Sequence, residues 1–317
     1  MRFKAGSVPM FAGDGFRRSA GIPNEKALPL LIDRKKAFMA NERWIYVDNS
    51  HYGKCCLCGQ HKKLTFEHVP PKSAFNSTKT KIVPGIEALK KPTSQMPWDL
   101  SGLHSKEQQR GTGDYYLCGE CNSNTGSWYI SHYTNFVKCI DEKLRNKNYS
   151  FVQPRSLEIS FEHIRPLAIF KGIMVLFCDI NHHCFNDENL QSYLLNCMET
   201  ELDTKKYRLF IHIHGGGLHR VAGLSSITFT GSDKIETIFL SEITTYPIGL
   251  TLYFDLPDTY HPDGIEITPF ARFPYAQQIS TILQLPVLES NVMFPGDYRT
   301  KAEIKEQIER NKVNRLG

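Results

Sequence analysis

The sequence predicts an α+β fold, and three observations predict it. Two C-x-x-C pairs, Cys55/Cys58 and Cys118/Cys121, mark a small metal-stapled unit in the first half of the chain. Two helical stretches, Pro166 to Cys178 and Glu188 to Leu202, follow near the middle. Period-two runs then recur between Tyr207 and Phe254, separated by Gly and Asp turns, as strands do. With 317 residues, 41% hydrophobic and 22% charged, the chain can bury a sizeable core in one or two domains.

Residues 1–23 are rich in Gly, Arg and Lys without apolar periodicity and read as a loosely ordered arm. Asn24 can cap a short helix running toward Trp44, with Pro29 limiting its first turn, so residues 1–44 form the first unit. Trp44 to Asp48 favours a strand and opens a second unit, residues 45–150. Inside it, residues 76–113 carry Pro84, Pro92, Pro97, several lysines and Gly111-Thr112-Gly113, which predicts a long insertion with at most one short helix at Pro84 to Lys90. Trp128 to Leu144 reads as a helix, because Tyr129, Tyr133, Phe136 and Ile140 recur at helical spacing. The charge-rich run Asp141 to Ser150 marks a boundary, and residues 151–317 form a C-terminal mixed α+β unit. Its strands are expected at Tyr207 to His214, Ser225 to Thr230, Ile235 to Ile243 and Ile248 to Phe254. At its end Thr300-x-x-Glu303 has the form of a capping box, and Glu306 with Arg310 an i, i+4 pair.

Charge is uneven along the chain. Residues 51–150 hold 14 Lys plus Arg against 8 Asp plus Glu, a surplus larger than the +5 of the whole chain. Such a surplus attracts phosphates, although a solvated face would look the same. Met1 to Phe16 lacks an apolar core behind a basic start, and the apolar stretch Leu167 to Ile180 is broken by Lys171 and too short to span a bilayer. A cytosolic protein with no membrane partner is therefore expected. Nine cysteines in that compartment are not a disulfide framework. Cys56, Cys139, Cys178, Cys184 and Cys197 read as packing residues or bystanders, and C-x-x-C closes a knuckle better than Cys56 with Cys58 would.

The residues that carry chemistry occur in order: Cys55-x-x-Cys58, then Glu67-His68-Val69-Pro70-Pro71-Lys72, then Cys118-x-x-Cys121-Asn122. Four thiolates from two knuckles close a tetrahedral Zn²⁺ site with no open position, so this zinc is structural. The usual separation of such pairs in a zinc ribbon is about 15 to 20 residues. Here 59 residues intervene, so something is inserted between the knuckles. The insertion carries the Glu-His pair.

This combination resembles the HNH, or ββα-metal (His-Me finger), endonuclease family, particularly its zinc-knuckle branch and the version in bacterial anti-phage effectors with an E-H-x-P-P-K pattern; the resemblance covers residues 51–130. It implies a hairpin whose first strand ends in the acidic residue and histidine, with a helix packed against it. By position, Glu67 would be a ligand of a catalytic Mg²⁺ or Mn²⁺, His68 the general base, and Asn122 the third protein contribution to that metal. It also implies a nucleic-acid substrate, double-stranded DNA being the expected one, and a role as a defence effector. Residues 151–317 would then serve recognition, sensing of an activating ligand or protein partner, or homo-oligomeric assembly. The competing expectation is a zinc-stapled nucleic-acid-binding module without catalysis. One departure motivates that alternative. The middle asparagine of the family pattern is missing just before the second knuckle, where the chain reads Gly111-Thr112-Gly113-Asp114-Tyr115, so Asp114 or a backbone carbonyl would have to orient His68.

Adjacent strand residues point to opposite faces, so Glu67 and His68 can serve one site only where the strand ends or bulges, and Pro70-Pro71 supplies a local reason for an ending. The remaining candidates are weaker. His182-His183-Cys184 reads as a helix-terminal polar cluster, and His212-x-His214 as a partly exposed strand face without a third ligand. Gly215-Gly216-Gly217 lacks the lysine and helix of a phosphate loop. Tyr115 and Tyr116 read first as packing residues and second as base-stacking ones.

Overall fold

The computed structural model describes residues 51–92, 94–146, 156–182, 186–230 and 235–316, together with strand backbone at 2–3, 36–40 and 43–47. Strands Arg2–Phe3 (β1), Lys36–Ala40 (β2) and Arg43–Val47 (β3) come first, and β2 pairs with β3 in antiparallel register from Lys36↔Val47 to Ala40↔Arg43. The helix expected to run from Asn24 toward Trp44 is therefore replaced over residues 36–40 and 43–47 by two paired strands, in keeping with the strand preference of Trp44, Ile45, Tyr46 and Val47. The expected arm lies otherwise outside the described residues.

The next strands, Tyr52–Lys54 (β4) and His61–His68 (β5), form a hairpin whose turn holds Cys55 and Cys58. The insertion is more ordered than its proline content suggested. Thr80–Ile82 (β6) pairs with Lys106–Gln108 (β7), and the short helix Gly85–Leu89 (α1) lies between them. Strand Gly113–Cys118 (β8) then pairs antiparallel with β5 and leads directly into Gly119–Thr125 (α2). A π-helical turn at Gly126–Ile130 connects α2 to Ser131–Asn146 (α3), as the apolar spacing predicted for that stretch.

Beyond it, Ser156–Ile164 (β9) precedes Pro166–Ile180 (α4) and Glu188–Leu195 (α5). Pro166 begins α4 at a position where its missing N–H costs nothing. From Pro166 to Asp179 every residue of α4 is buried, as expected of a helix that is apolar all round. It packs against α3, the π-turn and the sheet, so one apolar cluster runs from Leu57 and Leu117 through Tyr129 and Phe170 to Leu250. The second helix, expected to reach Leu202, stops at Leu195. There the buried Lys171 ammonium donates to the Tyr193 and Asn196 carbonyls at 2.7 Å each and holds the chain in its turn away from the helix.

Strands Tyr207–Gly217 (β10), Arg220–Thr230 (β11) and Ile235–Thr245 (β12) extend three of the four predicted ones, Ile248–Phe254 (β13) matches the fourth, and Ile265–Glu266 (β14) pairs with β10. Ile279–Ser290 (β15) was not legible as a strand. It pairs parallel to β10 and antiparallel to β9, giving the order β1-β11-β12-β13-β10-β15-β9. Pro286 lies within β15 and argues against a ladder strand on composition alone. The final helix, Lys301–Leu316 (α6), carries the expected capping box, with Glu303 Oε2 accepting from the Thr300 N–H at 2.7 Å. Among the described residues no helix is long and apolar enough to cross a membrane.

Candidate functional site

The four knuckle cysteines converge. Cys55, Cys58, Cys118 and Cys121 place their sulfur atoms within 4.8 Å of one another, and the Cys58 and Cys118 sulfurs are 3.9 Å apart. A tetrahedral ion with Zn–S bonds of about 2.3 Å requires sulfur separations of about 3.8 Å. The cluster could thus hold a structural metal such as zinc, and all of its donors are soft. The Cys118 N–H donates to Cys55 Sγ at 3.3 Å. The hydrogen bond from the Cys121 thiol, helped by backbone N–H groups and opposed by burial, pulls the Cys55 thiol down to about 4. The same contact raises the Cys121 thiol, and burial raises Cys58, so Cys55 is the favoured thiolate of the cluster and a bound cation would displace protons from other sulfurs.

This clasp is local to the β5, β8 and α2 contacts. Cys118 is both the last residue of β8 and the N-cap of α2, so closing the sulfur cluster fixes the angle at which α2 leaves the hairpin. The first face of α2 then meets β5: Asn122 Nδ2 donates to Thr65 Oγ1 at 3.2 Å, and Thr65 Oγ1 donates to Glu67 Oε1 at 2.7 Å. Thr65 and Glu67 lie two apart on the strand and so reach the helix together. Burial raises the Glu67 carboxyl above the usual carboxylate range, and the Thr65 hydroxyl partly offsets it.

β5 ends at His68, and its pairing with β8 shifts between Thr65 and Phe66. The imidazole does not share the Thr65–Glu67 contact; its ring meets Phe66 edge-on at 5.1 Å. His68 Nε2 lies 3.0 Å from the Arg110 carbonyl. A carbonyl only accepts, so Nε2 carries the proton and Nδ1 presents the lone pair. The oriented tautomer therefore comes from a backbone carbonyl and not from Asp114, whose carboxylate turns to the Tyr115 N–H.

Sequence reasoning missed the residue that holds that carbonyl in place. Asn76 donates through Nδ2 to the Pro70 and Thr112 carbonyls at 2.7 and 2.8 Å, and its Oδ1 accepts from the Thr112 N–H at 2.8 Å. One side chain thus ties the turn after Glu67-His68 to the segment that carries Arg110. The glycines there are required by the same crowding. A Cβ on Gly111, which has φ +90°, would meet the Asn76 carbonyl oxygen at 2.1 Å, and one on Gly113 would meet the Glu67 carbonyl oxygen at 2.0 Å. Asn76 lies 35 residues before Gly111-Thr112-Gly113 in the sequence, so neither the asparagine nor the Gly-x-Gly pair announces the contact locally.

Glu67, His68 and Asn122 line one cleft of about 160 Å³, with Phe66, Lys72 and Asp179. Asp179 comes from the last turn of α4 and is 2% exposed. Burial, with the Glu67 charge second, raises its carboxyl well above the usual range, and the Cys56 thiol donates to its Oδ1 at 3.4 Å. Cys56 is therefore a packing residue with a carboxylate partner and lies outside the sulfur cluster.

The weaker candidates separate clearly. His212 and His214 are 1% and 5% exposed, so the partly exposed strand face expected for them is a buried one. Tyr298 packs on the His212 ring at 4.7 Å and supplies part of the cover. Among the described residues they join no metal-ligand group. His182 Nδ1 bonds the Asp179 carbonyl at 3.0 Å, while residues 183 and 184 of that cluster lie outside the described residues. Tyr116 packs beside His182, and Tyr115 stacks on His51 with ring centroids 3.6 Å apart.

No protein-family model, curated protein or solved structure matches this chain.

Proposed function

We propose that the chain is a metal-dependent endonuclease of the HNH, or ββα-metal, type that hydrolyses phosphodiester bonds of nucleic acid. One observation carries the assignment. The cysteine clasp joins a β-hairpin to a following helix so that a carboxylate, a carboxamide and an oriented imidazole border a single cleft.

The donor set fits a hard divalent ion. Glu67 and Asn122 offer oxygen ligands suited to Mg²⁺ or Mn²⁺, and that ion, when bound, supplies charge neutralisation at the scissile phosphate. The protein's own groups do the rest. His68 accepts at Nδ1 the proton of the water that attacks phosphorus, while the Arg110 carbonyl keeps the other ring nitrogen protonated. Thr65 holds Glu67 and Asn122 in register across the hairpin. Lys72 on the cleft wall adds a positive charge for the phosphodiester backbone.

The alternative of a binding module without catalysis drew on the missing middle asparagine. Asn76 makes bracing contacts suited to that task, which favours the catalytic assignment. The test is cleavage of plasmid DNA, single-stranded DNA and RNA by zinc-loaded protein with Mg²⁺ or Mn²⁺. Cutting is expected to vanish in His68→Ala while the zinc content and thermal melt stay at wild-type values. Undiminished cutting by purified His68→Ala protein would remove the base from the mechanism, and salt-sensitive binding without fragments in any metal would favour the binding module.

A further inference from the structure

We infer that Asp179 is a further metal-site carboxylate, contributed to the cleft by the C-terminal half, so that the ion-binding site is composite. The inference rests on the metal-dependent assignment above and extends it to a residue outside the Glu-His and knuckle motifs.

Three independent features make a carboxylate at this position costly without a cation. It is 98% buried by exposure, and a buried carboxylate without a charged partner carries a large desolvation cost. It sits in the last turn of α4, Pro166–Ile180, where the helix places its negative end and where cations, not anions, are favourable. It also feels the charge of a second carboxylate, Glu67, across the cleft. Against these stands a neutral thiol, Cys56, whose sulfur donates weakly at 3.4 Å. Among the described residues no Lys or Arg is among the charges that act on Asp179, although Lys72 lines the same cleft. Yet the neighbouring cleft wall offers what a hard cation takes: Glu67 and the Asn122 carboxamide, in a cavity of about 160 Å³. One divalent ion there offsets all three penalties, whereas an uncharged residue, as at every other buried position of α4 except Lys171, would have avoided them.

Asp179 belongs to α4, which is buried from Pro166 to Asp179, and it lines the cleft together with Glu67 of β5 and Asn122 of α2. Closing the site around an ion therefore requires α4 to be docked against the hairpin-helix unit, which links metal binding to the packing of the C-terminal half.

The test is Mn²⁺ binding to the full-length, zinc-loaded protein, read by calorimetry or by the loss of free-ion paramagnetic resonance signal. The variants are Glu67→Ala, Asp179→Asn and, as a second change at the same position, Asp179→Ser. Zinc content and the melt without Mn²⁺ establish that each variant folds. For Asp179→Asn the melt without Mn²⁺ is expected to stay level or rise, because a buried charge is removed, while Mn²⁺ affinity falls by about tenfold or more and the Mn²⁺-induced rise in melting temperature shrinks. Asp179→Asn and Asp179→Ser protein that bind Mn²⁺ within about threefold of wild type, with Glu67→Ala impaired, would overturn the role of Asp179 and leave the nuclease assignment standing. Wild-type protein that binds no Mn²⁺ would overturn both.

Discussion

Replacing Asn76 by alanine removes one side chain and its three short hydrogen bonds, two donated to the Pro70 and Thr112 carbonyls and one accepted from the Thr112 N–H, together with a longer one from the Thr112 hydroxyl at 3.4 Å. Each is worth about 1 kcal/mol net, and because the groups are only half-buried and regain water, the loss is about 2 kcal/mol. That energy holds the Arg110–Thr112 segment against the Glu67-His68 turn, and the Arg110 carbonyl fixes the His68 ring at 3.0 Å. If orientation is lost in proportion, 2 kcal/mol corresponds to a fall of about 30-fold in the rate of the chemical step. The assay is single-turnover cleavage at saturating protein. It is paired with hydrogen exchange at the Thr112 amide, which reports the brace whether or not the protein cuts nucleic acid. Asn76→Ala is expected to show faster exchange there with unchanged zinc content. Asn76→Asp should be worse, since it loses both donors and sets a negative charge against two carbonyls. An Asn76→Ala protein with wild-type Thr112 protection would refute the brace, and one with lost protection but an undiminished rate would refute its link to His68.

Three further outcomes follow from the same geometry. Cys118→Ser should abolish tightly held zinc by elemental analysis and lower the melting temperature sharply, because Cys118 ends β8, caps α2 and supplies one of the four sulfurs. Gly113→Ala should impair folding of the β5–β8 pair, seen as a lower melt and loss of soluble protein, since its Cβ would meet the Glu67 carbonyl oxygen at 2.0 Å. Stability should fall in mild acid. Burial holds His212 well below its ordinary 6.5, and burial with the His219 and Arg220 charges takes His214 down to about 3. Between 6.5 and those values the unfolded chain binds more protons, so stability is lost as pH falls from about 6.5. At pH 5 the loss from the His214 ring is about 2 kcal/mol, and His212 adds to it in the same direction. Urea unfolding at pH 7.5 and 5.0 measures it, and a double His212→Gln, His214→Gln variant should show a shallower pH dependence.

Much of this was legible because it is written locally. The C-x-x-C pairs declare a sulfur cluster at any separation, and the spacing of Tyr129, Tyr133, Phe136 and Ile140 places the core face of α3. Period-two runs from Tyr207 to Phe254 locate four strands of the large sheet, both ends of β13 included, but miss the start of β11 at Arg220 and the last residues of β10 and β12. What escaped depends on residues brought together from afar. Asn76 reads as a turn residue until Pro70 and Thr112 flank it, 36 residues separating it from Thr112. Asp179 reads as the polar end of an apolar helix until Cys56 and Glu67 face it. His212 and His214 looked half-exposed because alternation gives a strand face but not its cover, which here includes Tyr298, 86 residues beyond His212 in the chain numbering. β15 was hidden by Pro286, which sits on a strand flanked on both sides.

The cysteine clasp and the large core are one source of order, because α2, the π-turn and α3 are continuous. The sulfur cluster sets where this helix begins, and Tyr129 sets where its middle goes: the side chain is fully buried, and its hydroxyl donates to the Leu194 carbonyl at 2.9 Å. Gly172 on α4 lies close enough that a Cβ would touch the Tyr133 and Tyr129 side chains at 3.3 and 3.4 Å, so the two helices approach tightly at that point. Any shift of α4 along the π-turn is therefore opposed by packing, which resists displacement far more than a flexible linker would. Because Val175, Leu176 and Asp179 of that same helix line the cleft with Ile130 and Asn122, the cleft's width is set by the α4 contact as much as by the cysteines. A change that loosens α4, even one far from the sulfur atoms, should thus open the cleft while leaving the sulfur cluster closed.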